Sequence, residues 1–138
     1  MRETTEMKSL IEQWQELFQC HSADNLIIGL ATGGFCHINM DTLLGLPSPR
    51  WNSPDYNETR VAYNEAQRKF FEEIDYEYLD GDGGGEGGTE YVYGVFRLQG
   101  KIYKADWRYD SHHGYDYNDI ARTVKEVKPV QKTITVYE

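Results

Sequence analysis

Two identical dipeptides, Cys20-His21 and Cys36-His37, contain side chains whose types could bind zinc. One zinc ion would need ligands from both pairs. Residues 35–40 are predicted as a strand, where neighbouring side chains point to opposite faces, so Cys36 and His37 are poorly placed to share a metal. We therefore predict no metal site, and two reduced thiols in place of a disulfide framework.

A glycine-rich acidic segment begins at Asp80 and is similar to the start of a calcium-binding loop, with acids first and third and glycine sixth. Its twelfth position is Tyr91, where that loop needs a bidentate glutamate. The glycines are not followed by Lys-Ser or Lys-Thr, and the acids would repel a phosphate. The segment 80–89 is therefore predicted to be a flexible loop that holds no cofactor.

His112 and His113, beside Asp110 and Asp116, are the candidates for acid–base chemistry in a hydrolase. They lie in a Tyr-, His- and Asp-rich stretch, 111–119, that is predicted as a loop. The sequence identifies neither an oxyanion hole nor a third residue for a Cys/His nucleophile pair. We predict a protein without catalytic residues, and hydrolase activity is the alternative.

The charge of the chain is strongly polarised. The net charge is −9, yet residues 55–90 contain eleven acids and three bases, whereas residues 97–132 have a net charge of +3. An acidic protein is poorly suited to neutralise phosphates, which argues against direct nucleic-acid binding. The distribution favours a basic partner, with a merely solvated acidic surface as the alternative.

The length of 138 residues predicts one domain, 1–138, with a core of its own. The longest apolar run, 26–31, is much shorter than a membrane span. The polar N-terminus lacks the pattern of a secretory signal. We therefore expect a cytoplasmic protein with no membrane partner.

The spacing of apolar residues predicts the main elements. Residues 4–20 and 54–79 have the period of amphipathic helices, and 26–31 and 35–40 are predicted as two short strands. Residues 91–98 and 101–110 predict a β-hairpin with Gln99-Gly100 at its turn, and 133–137 a last strand. The expected fold is α+β, an antiparallel sheet with two main helices packed against one face.

Two sets of residues are candidates for binding. Helix geometry places most acids of 54–79 opposite the apolar face, and tyrosine, which occurs eleven times, is a favoured interface residue. The predicted partner-binding residues are Glu65, Glu72, Glu73, Asp75, Tyr76, Glu77, Tyr78, Asp80, Asp82, Tyr109, Tyr115 and Tyr117. The alternative set, which would bind a nucleotide, is Lys104, Arg108, His112 and His113.

The chain resembles small acidic proteins that phages and mobile elements encode against host defences, of the anti-CRISPR and antirestriction type. The resemblance lies in size, polarised acidity and abundant tyrosine, and the stretches 109–117 and 127–138 are similar to tails of phage proteins. It implies a stoichiometric inhibitor in the host cytoplasm, which binds the basic nucleic-acid groove of a nuclease or ribonucleoprotein effector as a DNA mimic. The basic segment 97–132 departs from a pure mimic, and it would allow either self-association of acidic and basic faces as a homodimer or contacts with nucleic acid that the target carries.

Overall fold

The computed structural model has an α+β fold, in which helices pack against one face of an antiparallel sheet. It describes residues 2–82, 91–110, 114–130 and 137, and the side chains of 6–81, 91–109, 114–130 and 137. The helices are α1 (Arg2–Phe18), α2 (Ala23–Thr32), α3 (Met40–Leu44) and α4 (Tyr56–Glu73). The strands are β1 (Glu77–Asp82), β2 (Tyr91–Leu98), β3 (Lys101–Asp110), β4 (Gly114–Asp116) and β5 (Lys125–Glu126), with a 3₁₀ helix at Ile120–Thr123.

Helix α1 confirms the prediction for residues 4–20 with slightly earlier bounds. Its apolar stripe is buried, and Trp14 and Phe18 are among the largest fully buried side chains. The Trp14 ring lies edge-on to Tyr103 of β3, with 4.8 Å between ring centroids. The stripe therefore packs on the sheet, as an amphipathic helix requires.

Helix α2 replaces the strand predicted at 26–31, so that prediction was wrong. The hydroxyl of Ser22 accepts a hydrogen bond from Asn25 N at the start of the helix, and Gly33 ends it in the left-handed conformation at φ 76°. All six residues from Leu26 to Ala31 are buried. A helix that is apolar on every side shows no period of 3.6, which is why the pattern resembled a strand.

The partner strand predicted at 35–40 was also wrong. Cys36 and His37 lie in a turn, and Asn39 Oδ1 accepts from Thr42 N to begin α3. The argument that these two side chains point to opposite faces of a strand therefore does not apply. The two cysteines are free thiols, Cys20 buried and Cys36 exposed.

Helix α4 ends earlier than the predicted 54–79. Its last residue is Glu73, and Asp75 adopts φ 55° as the chain turns into β1. Residues 77–79, predicted as helix, and Asp80–Asp82, predicted as loop, together form β1. The rest of that loop, 83–89, lies outside the described residues, as does nearly all of the strand predicted at 133–137.

The sheet is ordered β1-β2-β3-β4, and β5 also pairs with β3. The predicted hairpin is confirmed at both strands, with Gln99 and Gly100 at its turn. The described part of the predicted loop 111–119 includes the short strand β4, which pairs antiparallel with β3. Strand β1 therefore forms one edge of the described sheet.

The sheet has a buried face and a more accessible face. Side chains of β2 alternate strictly, so Val92 and Phe96 point toward the helices while Tyr93 and Arg97 lie on the other side. The hydroxyl of Tyr76 donates to Leu30 O at 2.9 Å and joins the end of α2 to the start of β1. Within the described parts of the chain, no helix is long and apolar enough to cross a lipid bilayer.

Candidate functional site

The acidic face predicted on the second helix is largely neutralised. Arg68 forms ion pairs with Glu65 at 2.7 Å and with Glu72 at 2.6 Å. Hydrogen bonds first to Glu65 and then to Glu72 raise the pKa of the Arg68 guanidinium. Because α4 has four acids and three bases in all, its net charge is only −1. Glu65, Glu72 and Glu73 are exposed as predicted, but their surface is of mixed charge.

Most of the acidity follows α4. Residues 75–90 contain six acids and no base. Asp75 belongs to a structural junction, since its carboxylate accepts from Arg97 Nε at 2.9 Å and from Gly100 N at 3.0 Å. Arg97 Nη2 also lies 3.0 Å from Glu77 Oε2. The hydrogen bond to Asp75 is the main reason that the pKa of Arg97 is raised.

Strand β1 presents an exposed row that we call the acidic edge: Glu77, Tyr78, Leu79 and Asp80. All four are exposed, and the pairing with β2 shifts between Tyr78 and Asp80, so that Leu79 forms a bulge. Bulges are frequent at sheet edges, where they re-aim side chains. The acidic edge therefore combines carboxylates with an aromatic and an aliphatic side chain.

Tyr76 and Tyr78, two of the predicted partner-binding residues, have different surroundings. Tyr76 packs against Phe35, Phe71 and Phe96, and its burial strongly raises the pKa of its phenol. Tyr78 is 43% exposed. Tyr78 is therefore available for contact, whereas Tyr76 belongs mostly to the core.

A cavity of about 340 Å³ opens beside the acidic edge. We call it the β1 pocket. It lies between the last two residues of α2 and the sheet, at the end of β1 that follows the bulge. It is lined by Ala31, Thr32, Tyr78, Gly81, Val92, Tyr93 and Trp107.

Close approach of backbone and ring defines the pocket walls. The Tyr78 hydroxyl lies so close to Gly81 that a Cβ added there would clash with it. The tyrosine ring therefore lies along its own strand, β1. The Cβ of Tyr78 in turn lies 3.6 Å from where a Cβ of Gly33 would be. Tyr78 thus forms the wall of the pocket on the β1 side, next to the end of α2.

The indole of Trp107 is buried, and its Nε1 has no hydrogen-bond partner among the described residues. The same is true of Trp14, but that ring lies edge-on to Tyr103 and Phe96. Trp107 contacts the ring of Tyr117 at an interplanar angle of 40° and so lacks this edge-on arrangement. Of these two buried indoles, Trp107 is the one that lines the pocket.

The three tyrosines predicted near the hairpin end do form a cluster. Tyr115 lies 4.9 Å from Tyr109 and 5.8 Å from Tyr117 between ring centroids. Tyr115 is the most accessible, at 48%. His112 and His113, and the side chain of Asp82, lie outside the described residues.

The alternative ligand-binding residues Lys104 and Arg108 share the outer face of β3. Lys104 Nζ lies 4.6 Å from the ring centroid of Tyr93 and 5.8 Å from that of Tyr91. Asp106 lies between the two bases in sequence on the same face, and it interacts with Tyr91, whose pKa is raised chiefly by burial and next by Asp106. An anionic ligand would meet one engaged lysine and one carboxylate here.

Within the ranges that the structure describes, no group of three or more His, Cys, Asp and Glu is placed to hold a metal ion. A shallow depression on the outer side of α4 has a volume of about 640 Å³ and includes Val61, which is 59% exposed.

Sequence reasoning missed the β1 pocket, because its walls come from a helix predicted as a strand and from a strand predicted as helix and loop. An available signal was Gly94 inside the predicted strand 91–98, since a glycine within a strand often marks the close approach of another backbone. Comparison of the chain with protein families, with curated proteins and with solved structures gave no match.

Proposed function

We propose that the protein is a stoichiometric inhibitor that binds a basic nucleic-acid groove of a host nuclease or effector complex through its acidic edge. The observation that supports this most directly is the position of the acids. Residues 75–90 have six acids and no base, and two of these acids, Glu77 and Asp80, lie on the exposed edge strand β1, where Glu77 also pairs with Arg97. Carboxylates placed there can pair with the arginines and lysines that otherwise hold phosphates.

The acidic edge favours a protein partner that binds through side chains and does not add a strand to the sheet. Edge strands are usually protected by short length, charge or bulges, and β1 has both the charge and the bulge. Tyr78 and Leu79 add contact area between the carboxylates. Such a surface gives fast, salt-sensitive association with a basic protein.

The first experiment is affinity capture from a nuclease-treated bacterial lysate, with washes at rising salt. We expect a nucleic-acid-handling protein to be retained at low salt, to elute at high salt and to be displaced by added nucleic acid. Displacement is the decisive part, because it shows that the protein and the nucleic acid compete for one groove. A partner that binds nucleic acid and this protein at the same time would contradict the proposal.

The alternative function, capture of a nucleotide by the outer face of the sheet, is supported by the contact of Lys104 with two tyrosine rings. Rings and cations together can bind a base and its phosphate. A thermal-shift screen of nucleotides distinguishes the two functions, since only a bound ligand stabilises the fold by mass action. Stabilisation that is lost in Arg108→Ala would favour the alternative.

A further inference from the structure

We propose that the β1 pocket accepts one cationic side chain, an arginine or a lysine, from the protein that the acidic edge binds. The preference for a cation follows from the residues that line and flank the pocket. Only the source of that side chain rests on the proposed function. At about 340 Å³, the pocket is near the lower end of ligand cavities, which suits one side chain better than a larger molecule.

Aromatic walls are the first argument for a cation. Tyr78 and Trp107 both line the pocket from the helix-facing side of the sheet. The faces of such rings attract ammonium and guanidinium groups. Tyr93 already has Lys104 Nζ at 4.6 Å from its ring centroid, so we assign the contact with an added cation to Tyr78 and Trp107.

The end of α2 is the second argument. Ala31 and Thr32 are the last residues of this helix, and both line the pocket. A helix C-terminus has a partial negative charge, and cations are favoured there. No basic residue lies in the last turn of α2, so the helix does not supply that cation itself.

The surrounding charge is the third argument. The pocket opens beside β1, where the exposed Asp80 stands between the lining residues Tyr78 and Gly81 in the chain. The buried Trp107 N–H also has no partner among the described residues, and burying an unpaired donor is costly. A peptide supplies carbonyl oxygens together with its cation, so it suits this pocket better than a simple inorganic cation.

The direct test is a titration of ¹⁵N-labelled protein with three blocked tripeptides, Gly-Arg-Gly, Gly-Lys-Gly and Gly-Gln-Gly. The indole N–H signals of Trp14, Trp51 and Trp107 are followed by NMR. We expect the arginine and lysine peptides to shift the Trp107 signal, whereas Trp51, which is 84% exposed and does not line the pocket, stays unchanged. No shift of Trp107, or an equal shift with the glutamine peptide, would overturn the proposal.

Variants of Tyr78 test the aromatic wall. Tyr78→Phe retains the ring and should bind the arginine peptide nearly as the wild type does. Tyr78→Leu removes the ring and should weaken binding by about 3- to 30-fold. Tyr137→Leu, at a tyrosine that is 92% exposed and belongs to neither candidate binding set, is the control and should have no effect. Equal affinity of the Tyr78→Leu and wild-type proteins would refute the role of the ring.

Thr32→Lys provides an independent variant if Tyr78→Leu does not fold. Thr32 is exposed at the end of α2, where a lysine suits the helix dipole. The substitution removes the hydrogen bond that the Thr32 hydroxyl donates to Ile28 O and the one that it accepts from Gly34 N, so the fold of this variant is first checked by its NMR spectrum. The ammonium of the new lysine should either occupy the pocket itself or repel the cation of the peptide, so peptide binding should be lost. Retained binding in Thr32→Lys would contradict a cation site at the C-terminus of α2.

The outcomes distinguish the two proposals. If the intact partner binds and competes with nucleic acid but the peptides do not shift Trp107, the inhibitor function stands and the pocket proposal fails. If the peptides shift Trp107 but no captured partner competes with nucleic acid, the pocket proposal stands and the inhibitor function fails.

Discussion

At the scale of single residues, the pocket depends on a close contact between α2 and β2. A Cβ at Gly94 would lie only 1.8 Å from Ala31 O and 2.8 Å from Ala31 C. The obstacle is backbone, which cannot rotate away as a flexible side chain can. Glycine at this position therefore sets how closely the end of α2 approaches the sheet.

Gly94→Ala should destabilise the fold by about 1–3 kcal/mol or more, because the added methyl group forces α2 away from β2. Gly34→Ala is the control, since the nearest atom to its Cβ, Thr32 Oγ1, lies at an ordinary 3.5 Å. Urea unfolding of both variants measures the difference. Equal stability of the two variants would contradict the close contact between the Ala31 backbone and Gly94.

At the scale of elements, α2 is central and α4 is peripheral. Six consecutive residues of α2 are buried, whereas no residue of α4 is fully buried. The short helix α2 therefore contributes more to the core than the longer α4 does.

Leu30→Ala should lower the free energy of unfolding by about 2–5 kcal/mol, because Leu30 is fully buried. Val61→Ala on the outer side of α4 should change it by no more than about 0.5 kcal/mol. Thermal or urea unfolding of both variants provides the comparison. A larger loss for Val61→Ala than for Leu30→Ala would reverse the assignment of core and periphery.

The elements also explain what the sequence could predict. The hairpin is recoverable because Gln99-Gly100 marks its turn and β2 and β3 alternate in polarity. Helix α2 was predicted as a strand because a helix that is buried on all sides lacks the 3.6-residue period of apolar residues. Helix α4 appeared to continue to 79 because Tyr78 follows Ile74 at helical spacing, although Asp75 at φ 55° ends that helix.

The same reasoning applies to the candidate site. The exposure of Glu77, Tyr78 and Asp80 agrees with the residues chosen from the sequence. The neutralisation of Glu65 and Glu72 by Arg68 depends on side-chain conformation, which local patterns do not specify. The pocket joins α2, β1 and β3, so it could be recognised only after the long-range pairing was known.

At the scale of the whole molecule, opposite margins of the sheet differ in charge. Strand β1 has acids along its exposed edge, whereas the far side has mixed charge: Lys125 of β5 lies opposite Lys104 of β3, and Glu126 of β5 lies 3.8 Å from Lys101. One margin is therefore complementary to a basic groove and the other is not. This polarity would orient the protein as it approaches a partner.

The measurement that tests the central claim most directly compares two charge-matched double variants for affinity to the captured partner across a salt series. Glu77→Gln/Asp80→Asn changes the acidic edge, and Glu65→Gln/Glu72→Gln makes the same charge change on α4. We predict that the edge variant loses about fivefold or more in affinity at low salt and has a weaker salt dependence, while the α4 variant stays within about twofold of the wild type. Equal losses in both variants, or a larger loss for the α4 variant, would contradict the assignment of the binding surface to β1.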